Sequence, residues 1–309
     1  MRNHVIDCIT EMAKTNDRIY VVTADLGYNV LDDFRVKYPD RFVNVGIAEQ
    51  NMTAVAAGMA LEDNMVFTYS IGNFPTLRCI EQIRNDVCYH NANVKVLSVG
   101  GGFAYGDLGM SHHATEDIAM MRALPNMRVY VPADVCEAHV CLKDACSFIG
   151  PAFIRMARGR EPLQHKKEDI LDVSQLIYMT ERYEDVTILT TGTILSEAMQ
   201  VKILLQEDGV NVSVAAVPRV KPIDTEGIRE VAKRSKIIVT MEDHNITAGF
   251  GSAVAEVLSE MEAAHALLMR VGLPDVYTSI VGDQEYIRDY YGLSARKVRA
   301  RILNCLEKL

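Results

Sequence analysis

The sequence has no tryptophan, no Cys-x-x-Cys pair, no internal repeat, no low-complexity stretch and no excess of positive charge. Its apolar runs all fall short of the roughly 18 residues that a membrane span needs. Asp7 and Glu11 interrupt the opening segment, which therefore lacks the apolar stretch of a signal peptide. Lys and Arg number 32 against 41 Asp and Glu, a net charge of −9, so neither nucleic acid nor an anionic membrane has electrostatic support as a partner. Any anionic substrate has to be held by local positive groups. The seven cysteines are odd in number and scattered through apolar segments, a spacing that argues against metal or disulfide roles for them. They read as reduced core thiols of a cytoplasmic protein. Cys136, Cys141 and Cys146 recur at five-residue steps on one expected helix, about 140° apart around its axis, and so share no face. The missing tryptophan carries no functional reading.

What is present is an ordinary globular composition, 49% apolar and 24% charged, over 309 residues, a length that suits two domains. Short β-branched runs alternate with longer segments of helical period, the pattern of parallel α/β architecture. In the first half, strands are expected at Ile19–Thr23, Phe42–Val45, Val66–Tyr69, Val94–Val99, Val129–Pro132 and Ala152–Met156. Helices are expected between them at Val5–Lys14, Leu31–Lys37, Glu49–Leu61, Phe74–Tyr89, Glu116–Ala123 and Val135–Phe148. The strand runs are almost continuously apolar, so helices should cover both faces of the sheet. A charged stretch over 161–184 reads as a surface linker. A second series follows, with strands at Val186–Thr190, Val212–Ala216, Ile237–Met241 and Leu267–Val271 and helices at Leu195–Gln206, Thr225–Ala232 and Gly249–Met261. A terminal helix begins at an N-cap, Ser294. The expected fold is α/β in two domains, residues 1–160 and 185–309, each a mainly parallel sheet flanked by helices.

Two stretches carry candidate chemistry. In Val45-Gly46-Ile47-Ala48-Glu49-Gln50-Asn51-Met52 a strand end runs through glycine into a helix, where Glu49 is a site carboxylate or simply a favourable first-turn acid. The glycine-rich segment from Gly100 to His113 leaves the C-terminal end of an expected strand, the edge where open α/β sheets bind ligands. Its glycines permit close backbone approach but are weak evidence for phosphate, and His112-His113 reads equally as an exposed turn.

Taken in order, these pieces resemble the C-terminal half of a transketolase. The resemblance rests on Thr23-Ala24-Asp25-Leu26, Gly46-Ile47-Ala48-Glu49-Gln50-Asn51-Met52, Arg78 with Glu81-Gln82-Ile83-Arg84-Asn85, and Ser111-His112-His113-Ala114-Thr115-Glu116-Asp117. It continues through Arg122-Ala123-Leu124-Pro125-Asn126-Met127, Val131-Pro132-Ala133-Asp134, and Glu242-Asp243-His244-Asn245 followed by Gly249-Phe250-Gly251-Ser252-Ala253. It implies a thiamine diphosphate pyrimidine-binding domain followed by a transketolase C-terminal domain. It also implies that Glu49 hydrogen-bonds the cofactor's pyrimidine and promotes loss of the thiazolium C2 proton, a task helped by an apolar, desolvated setting. Phe74 matches the aromatic that packs on the pyrimidine, while the neighbouring aromatics of the family fall on Ile71 and Leu77 and imply a more aliphatic pocket. Asp25 matches an aspartate near the thiazolium and the subunit interface.

On the substrate side, His112 matches the histidine that faces the reacting centre, with His113 beside it, and Arg158 matches the arginine that receives the sugar phosphate. Leu108 stands where the family has a hydroxyl-reading aspartate and Gly100 where it has a phosphate-binding histidine. Leucine cannot accept a hydrogen bond, so sugar selection there is looser or passes to a group such as Asp107.

The family's Gly-Asp-Gly motif, which holds the diphosphate through Mg²⁺, is missing; Gly282-Asp283-Gln284 does not match it. The resemblance therefore implies an N-terminal transketolase subunit as partner, carrying the diphosphate and Mg²⁺ domain, in an α2β2 heterotetramer. The expected function is ketol transfer from a ketose donor to an aldose acceptor, with the C-terminal domain adding contacts between protomers without touching the chemistry directly. A deoxyxylulose-phosphate synthase-like reaction, a 2-oxo acid dehydrogenase beta subunit and a non-catalytic interaction subunit are the alternatives.

Overall fold

The computed structural model describes residues 1–159, 161–166, 168–182 and 185–309. Arg160 and Glu184, the ends of the expected first domain and linker, lie outside the described residues, as do Lys167 and Tyr183. The strands are β1 (Ile19–Thr23), β2 (Phe42–Asn44), β3 (Met65–Ile71), β4 (Val94–Val99), β5 (Arg128–Tyr130), β6 (Ala152–Met156), β7 (Ile177–Tyr178), β8 (Val186–Thr190), β9 (Val212–Ala216), β10 (Arg219–Lys221), β11 (Ile237–Asn245) and β12 (Leu267–Leu273). They form a seven-stranded sheet, β10-β5-β6-β4-β3-β1-β2, and a five-stranded sheet, β12-β11-β8-β9-β7. Each is parallel except at one edge, where β10 on β5 and β7 on β9 run antiparallel.

The apolar strand runs are covered on both faces, as expected. Along β4, Val94 and Val96 pack into one layer with Met52, Ile83 and Ile118, while Leu97 and Val99 pack into the other with Val5, Ile9, Phe34 and Leu142. This follows from alternation along a strand. Lys95 is also buried, its Nζ donating to the carbonyls of Phe148 (3.2 Å) and Gly150 (2.7 Å), and burial lowers its pKa to about 8. The first of these layers continues into the second domain through Ile228 and Phe250, so the two domains share one apolar cluster.

The linker is not a solvated strap. Val173, Leu176 and Ile177 between its charges are buried, and β7 adds to the second sheet through Ile177–Ala216 and Tyr178–Ala215 pairs. The backbone N–H groups of Gln164 and His165 donate to Asp134 (2.8 and 2.9 Å), and that of Leu176 donates to Asp224 (2.9 Å). The continuous helix expected over Phe74–Tyr89 is instead a 3-10 turn at Leu77–Cys79, one α turn at Ile80–Gln82 and a π segment at Ile83–Cys88. Pro75 has no N–H to give, and Thr76 turns its hydroxyl back to the Gly72 carbonyl at 2.9 Å. Ser294 does precede helix Ala295–Leu306, but its hydroxyl donates to Asp289 (2.6 Å) and not to the helix. A helix at Gln284–Tyr290 adds to the expected set. Cys79, Cys88 and Cys141 are buried core thiols; Cys8, Cys136, Cys146 and Cys305 are only half-buried.

Candidate active site

Five segments leave the C-terminal ends of neighbouring parallel strands of the first sheet, in the spatial order β6-β4-β3-β1-β2. They carry, in that order, Arg158, the Gly100–His113 loop, Phe74, Asp25 and Glu49. Residues far apart in sequence thus share one sheet edge.

Glu49 is the first residue of helix Glu49–Ala60 and is 3% exposed. Its surroundings are not simply apolar. Arg78 Nη1 donates to Glu49 Oε2 at 2.6 Å, while Oε1 has no hydrogen-bond partner among the described residues. Arg78 also lies over the Phe74 ring, 4.8 Å from its centroid. Asn44 ties the neighbouring segments together: its Oδ1 accepts from the N–H groups of Asp25 (2.9 Å) and Gly46 (3.0 Å). Asp25 has φ of 54°, and its carboxylate accepts from the Tyr28 hydroxyl at 2.9 Å.

A row of rings and charges continues from there. Phe74 meets the His112 ring edge-on at 5.4 Å, and His112 is 6.1 Å from the Tyr105 ring, over which the Arg158 guanidinium sits at 4.8 Å. Arg158 makes a loose ion pair with Asp107 at 3.5 Å. His112 Nδ1 is 3.0 Å from the Ser111 hydroxyl, and among the described residues its Nε2 has no partner. Ile71 is half-buried at the end of β3, whereas Leu77 and Leu108 are exposed. At Gly100 (φ +91°) an added Cβ would run into the Tyr105 ring. Tyr105 therefore fills the space that a side chain at position 100 would need, and burial pushes its phenol pKa up.

His113 stands behind this row. Its Nε2 is 3.1 Å from the Gly106 carbonyl and therefore donates, which leaves Nδ1 to accept from the Thr278 hydroxyl. Burial lowers its pKa, in keeping with a neutral ring. Both nitrogens are engaged within the chain, so the structure places His113 as a clamp on the loop and not beside His112 at the open edge.

The clamp extends along the seam between the domains. Arg155 Nε donates to Asp117 (2.8 Å), and its Nη2 donates to the carbonyls of Ala114 (2.7 Å) and Asp243 (2.9 Å). Arg288 closes on the Asp243 carboxylate. His244 donates from Nδ1 to the Asn245 carbonyl (2.7 Å) and accepts at Nε2 from the Ala119 N–H (3.3 Å). Burial lowers its pKa to about 4. Glu242 accepts from the N–H groups of Phe250 (2.6 Å) and Gly251 (2.8 Å), and burial raises its pKa to about 7. The C-terminal domain thus supplies no member of the row but holds the loop that carries it, through Thr278 on His113 and the Asp243 carbonyl on Arg155. Arg78 and Tyr105 are the site residues that the sequence left without a role; an arginine inside a matched segment and a tyrosine inside the glycine-rich Gly100–His113 stretch were the available signal. Thr278 offered none.

No helix among the described residues is long and apolar enough to cross a membrane. Residues 1–162 match the family model of the transketolase pyrimidine-binding domain and residues 178–298 that of the transketolase C-terminal domain. A putative transketolase C-terminal section from Methanocaldococcus jannaschii is 34% identical, over 100% of this chain and 96% of its own length. One of the subunits of an apulose-4-phosphate transketolase from Actinobacillus succinogenes is 33% identical, over 91% of this chain and 90% of its own. A solved structure of a split-gene transketolase, an inactive beta4 tetramer, is 35% identical with a TM-score of 0.87, covering 99% of this chain and 97% of that one. Two domain matches in order, and relatives of the same length, show that the chain belongs to the transketolase family, as the C-terminal or beta subunit of a transketolase divided between two chains.

Proposed function

We propose that this chain provides the pyrimidine half of a thiamine diphosphate site and, with an N-terminal subunit that holds the diphosphate and Mg²⁺ domain in an α2β2 assembly, transfers a two-carbon ketol unit from an anionic ketose to an aldose. The observation that carries this reading is the row Glu49, Arg78, Phe74, His112, Tyr105, Arg158, a buried carboxylate at one end and an open guanidinium at the other.

The residues present fit the pyrimidine part of the cofactor. Glu49 offers, on a nearly buried side chain, an oxygen without a partner among the described residues, and Phe74 offers a half-buried ring two contacts away. They do not fit Mg²⁺. That ion takes oxygen ligands, whereas the cluster of three close metal-binding side chains among the described residues is His4, Cys8 and His139. When bound, thiamine diphosphate supplies a carbon nucleophile and an electron sink for cleavage beside a ketose carbonyl.

Glu49 Oε1 shares a proton with a pyrimidine nitrogen, and Arg78 fixes the carboxylate through Oε2. Phe74 and Ile71 support the ring, and Asp25 orders the segment beside it through Asn44. His112, oriented through Nδ1 by Ser111, uses Nε2 to hold or move a proton at a substrate oxygen. Arg158 receives the anionic end of the sugar, and Asp107, released from its loose pair, accepts from a sugar hydroxyl in place of Leu108. Exposed Ile47, Leu77, Leu108 and Met110 on the same loops favour a second polypeptide covering this edge. The apulose-4-phosphate relative supports a phosphorylated ketose as the donor class.

The test is exchange of the thiazolium C2 proton followed by NMR, with the chain, its partner, Mg²⁺ and the cofactor together. Glu49→Gln is expected to slow exchange and turnover by orders of magnitude, since an amide cannot share the proton, while assembly persists. Exchange at the wild-type rate in that variant overturns the assignment.

A further inference from the structure

Outside the site, helix Arg2–Met12 packs against helix Val135–Cys146. His4 and Cys8 are four residues apart on the first helix and share a face, and His139 meets them from the second. The three donor atoms form a closed triangle: His4 Nε2 to His139 Nδ1 is 3.4 Å, Cys8 Sγ to His4 Nε2 is 3.5 Å, and Cys8 Sγ to His139 Nδ1 is 3.6 Å. With Zn–N of about 2.0–2.1 Å, Zn–S of about 2.3 Å and a tetrahedral angle of about 109°, trigonometry places nitrogen from nitrogen at about 3.3–3.4 Å and nitrogen from sulfur at about 3.5–3.6 Å. All three edges match. A neutral ring nitrogen either donates or accepts and a thiol has one proton, so well-directed hydrogen bonds cannot satisfy the three edges together. A cation among them can.

We propose that His4, Cys8 and His139 bind one Zn²⁺ per chain and tie the N-terminal helix to helix Val135–Cys146, with a fourth position open to water or an external ligand. Two imidazoles and a thiolate suit zinc and not Mg²⁺, so this ion is distinct from the cofactor's metal. His139 is exposed while His4 and Cys8 are half-buried, which gives the metal an entry path.

The test uses the full chain after chelator treatment, titrated with Co²⁺ while thiolate-to-cobalt charge-transfer absorption is read, then with Zn²⁺. One equivalent of Co²⁺ is expected to develop the band and Zn²⁺ to abolish it. Cys8→Ser should lose the band, Cys305→Ser should keep it, and His139→Ala should weaken binding on the order of 100-fold or more. Zn²⁺ should raise the Tm of the wild type and leave that of Cys8→Ser unchanged. Should Cys8→Ser not fold, His139→Ala, altered at an exposed side chain, carries the test alone. No stoichiometric band in the wild type, an undiminished band in Cys8→Ser, or wild-type affinity in His139→Ala overturns the proposal.

Discussion

Arg155 and Arg158 stand three residues apart where β6 ends, and folding treats them in opposite ways. Arg155 is 5% exposed and gives three hydrogen bonds to Asp117 and to the carbonyls of Ala114 and Asp243. The Arg158 side chain is 50% exposed and has a long pairing to Asp107 and a face on Tyr105. A guanidinium has five N–H donors. Arg155 commits its own to joining the two domains, and Arg158 keeps its own for something that arrives later. The same division separates the buried seam from the site row: the seam is satisfied within the chain, whereas Glu49 and His112 each keep an atom without a partner among the described residues.

Arg155→Ala breaks the comparison on the seam side and carries the largest expected effect. Asp117 would be left buried without its cation, and removing one partner of such a pair costs about 3–5 kcal/mol, to be read from urea unfolding. A loss below about 1 kcal/mol would put Arg155 in the same class as Arg158.

The seam should also answer to pH. The folded pKa of His244, about 4, lies below its ordinary 6.5, so the unfolded chain takes up the proton first. Its contribution is present above the unfolded value and is lost as pH falls from about 6.5 to about 4, about 3 kcal/mol in all. Glu242 works in the opposite sense: its raised value, about 7, means that stability present below the unfolded value of 4.5 drains away as pH rises through 7. Both proteins contain Glu242, so the difference in unfolding free energy between wild type and His244→Gln isolates the histidine and should shrink on acidification. A difference that is flat across the window removes His244 from the seam's pH response.

The smallest expected effect sharpens the comparison from the other side. Arg158→Ala should shift stability by no more than about 0.5 kcal/mol, because a half-exposed ion pair contributes little. In the assembled enzyme it should lower kcat/KM for a phosphorylated ketose by about 1.5–3 kcal/mol, roughly 10–160-fold, and leave uncharged erythrulose nearly unaffected. Equal losses on both substrates would make Arg158 structural.

Much of this was legible beforehand, for a physical reason. Strands buried on both faces need unbroken apolar runs, so β1, β4, β6 and β8 stand out from composition, and parallel order then puts Glu49, Phe74, His112 and Arg158 at one sheet edge. What escaped depends on partners distant in sequence. Arg219–Lys221 carries two cations in three residues and reads as loop until it pairs with β5. The clamp on His113 needs Thr278, which has no local signature. His4 and Cys8 show their shared face in the spacing, but only tertiary packing brings His139 to them. The helix expected from Phe74 failed locally, because Pro75 and Thr76 disturb the backbone that the apolar period otherwise supports.

The antiparallel strand β10 bears on how the protein is made. It seals the outer edge of the first sheet with Arg219–Tyr130 and Lys221–Val129 pairs, and Lys221 Nζ caps the carbonyls of Arg122 and Leu124. On the ribosome the pyrimidine-binding domain therefore emerges with the β5 edge open, and it stays open until a segment of the following domain has been synthesised. An open edge is a template for pairing with other chains. A fragment cut at the family boundary near residue 162 would keep that edge permanently, so the two domains form a single unit for folding and for expression.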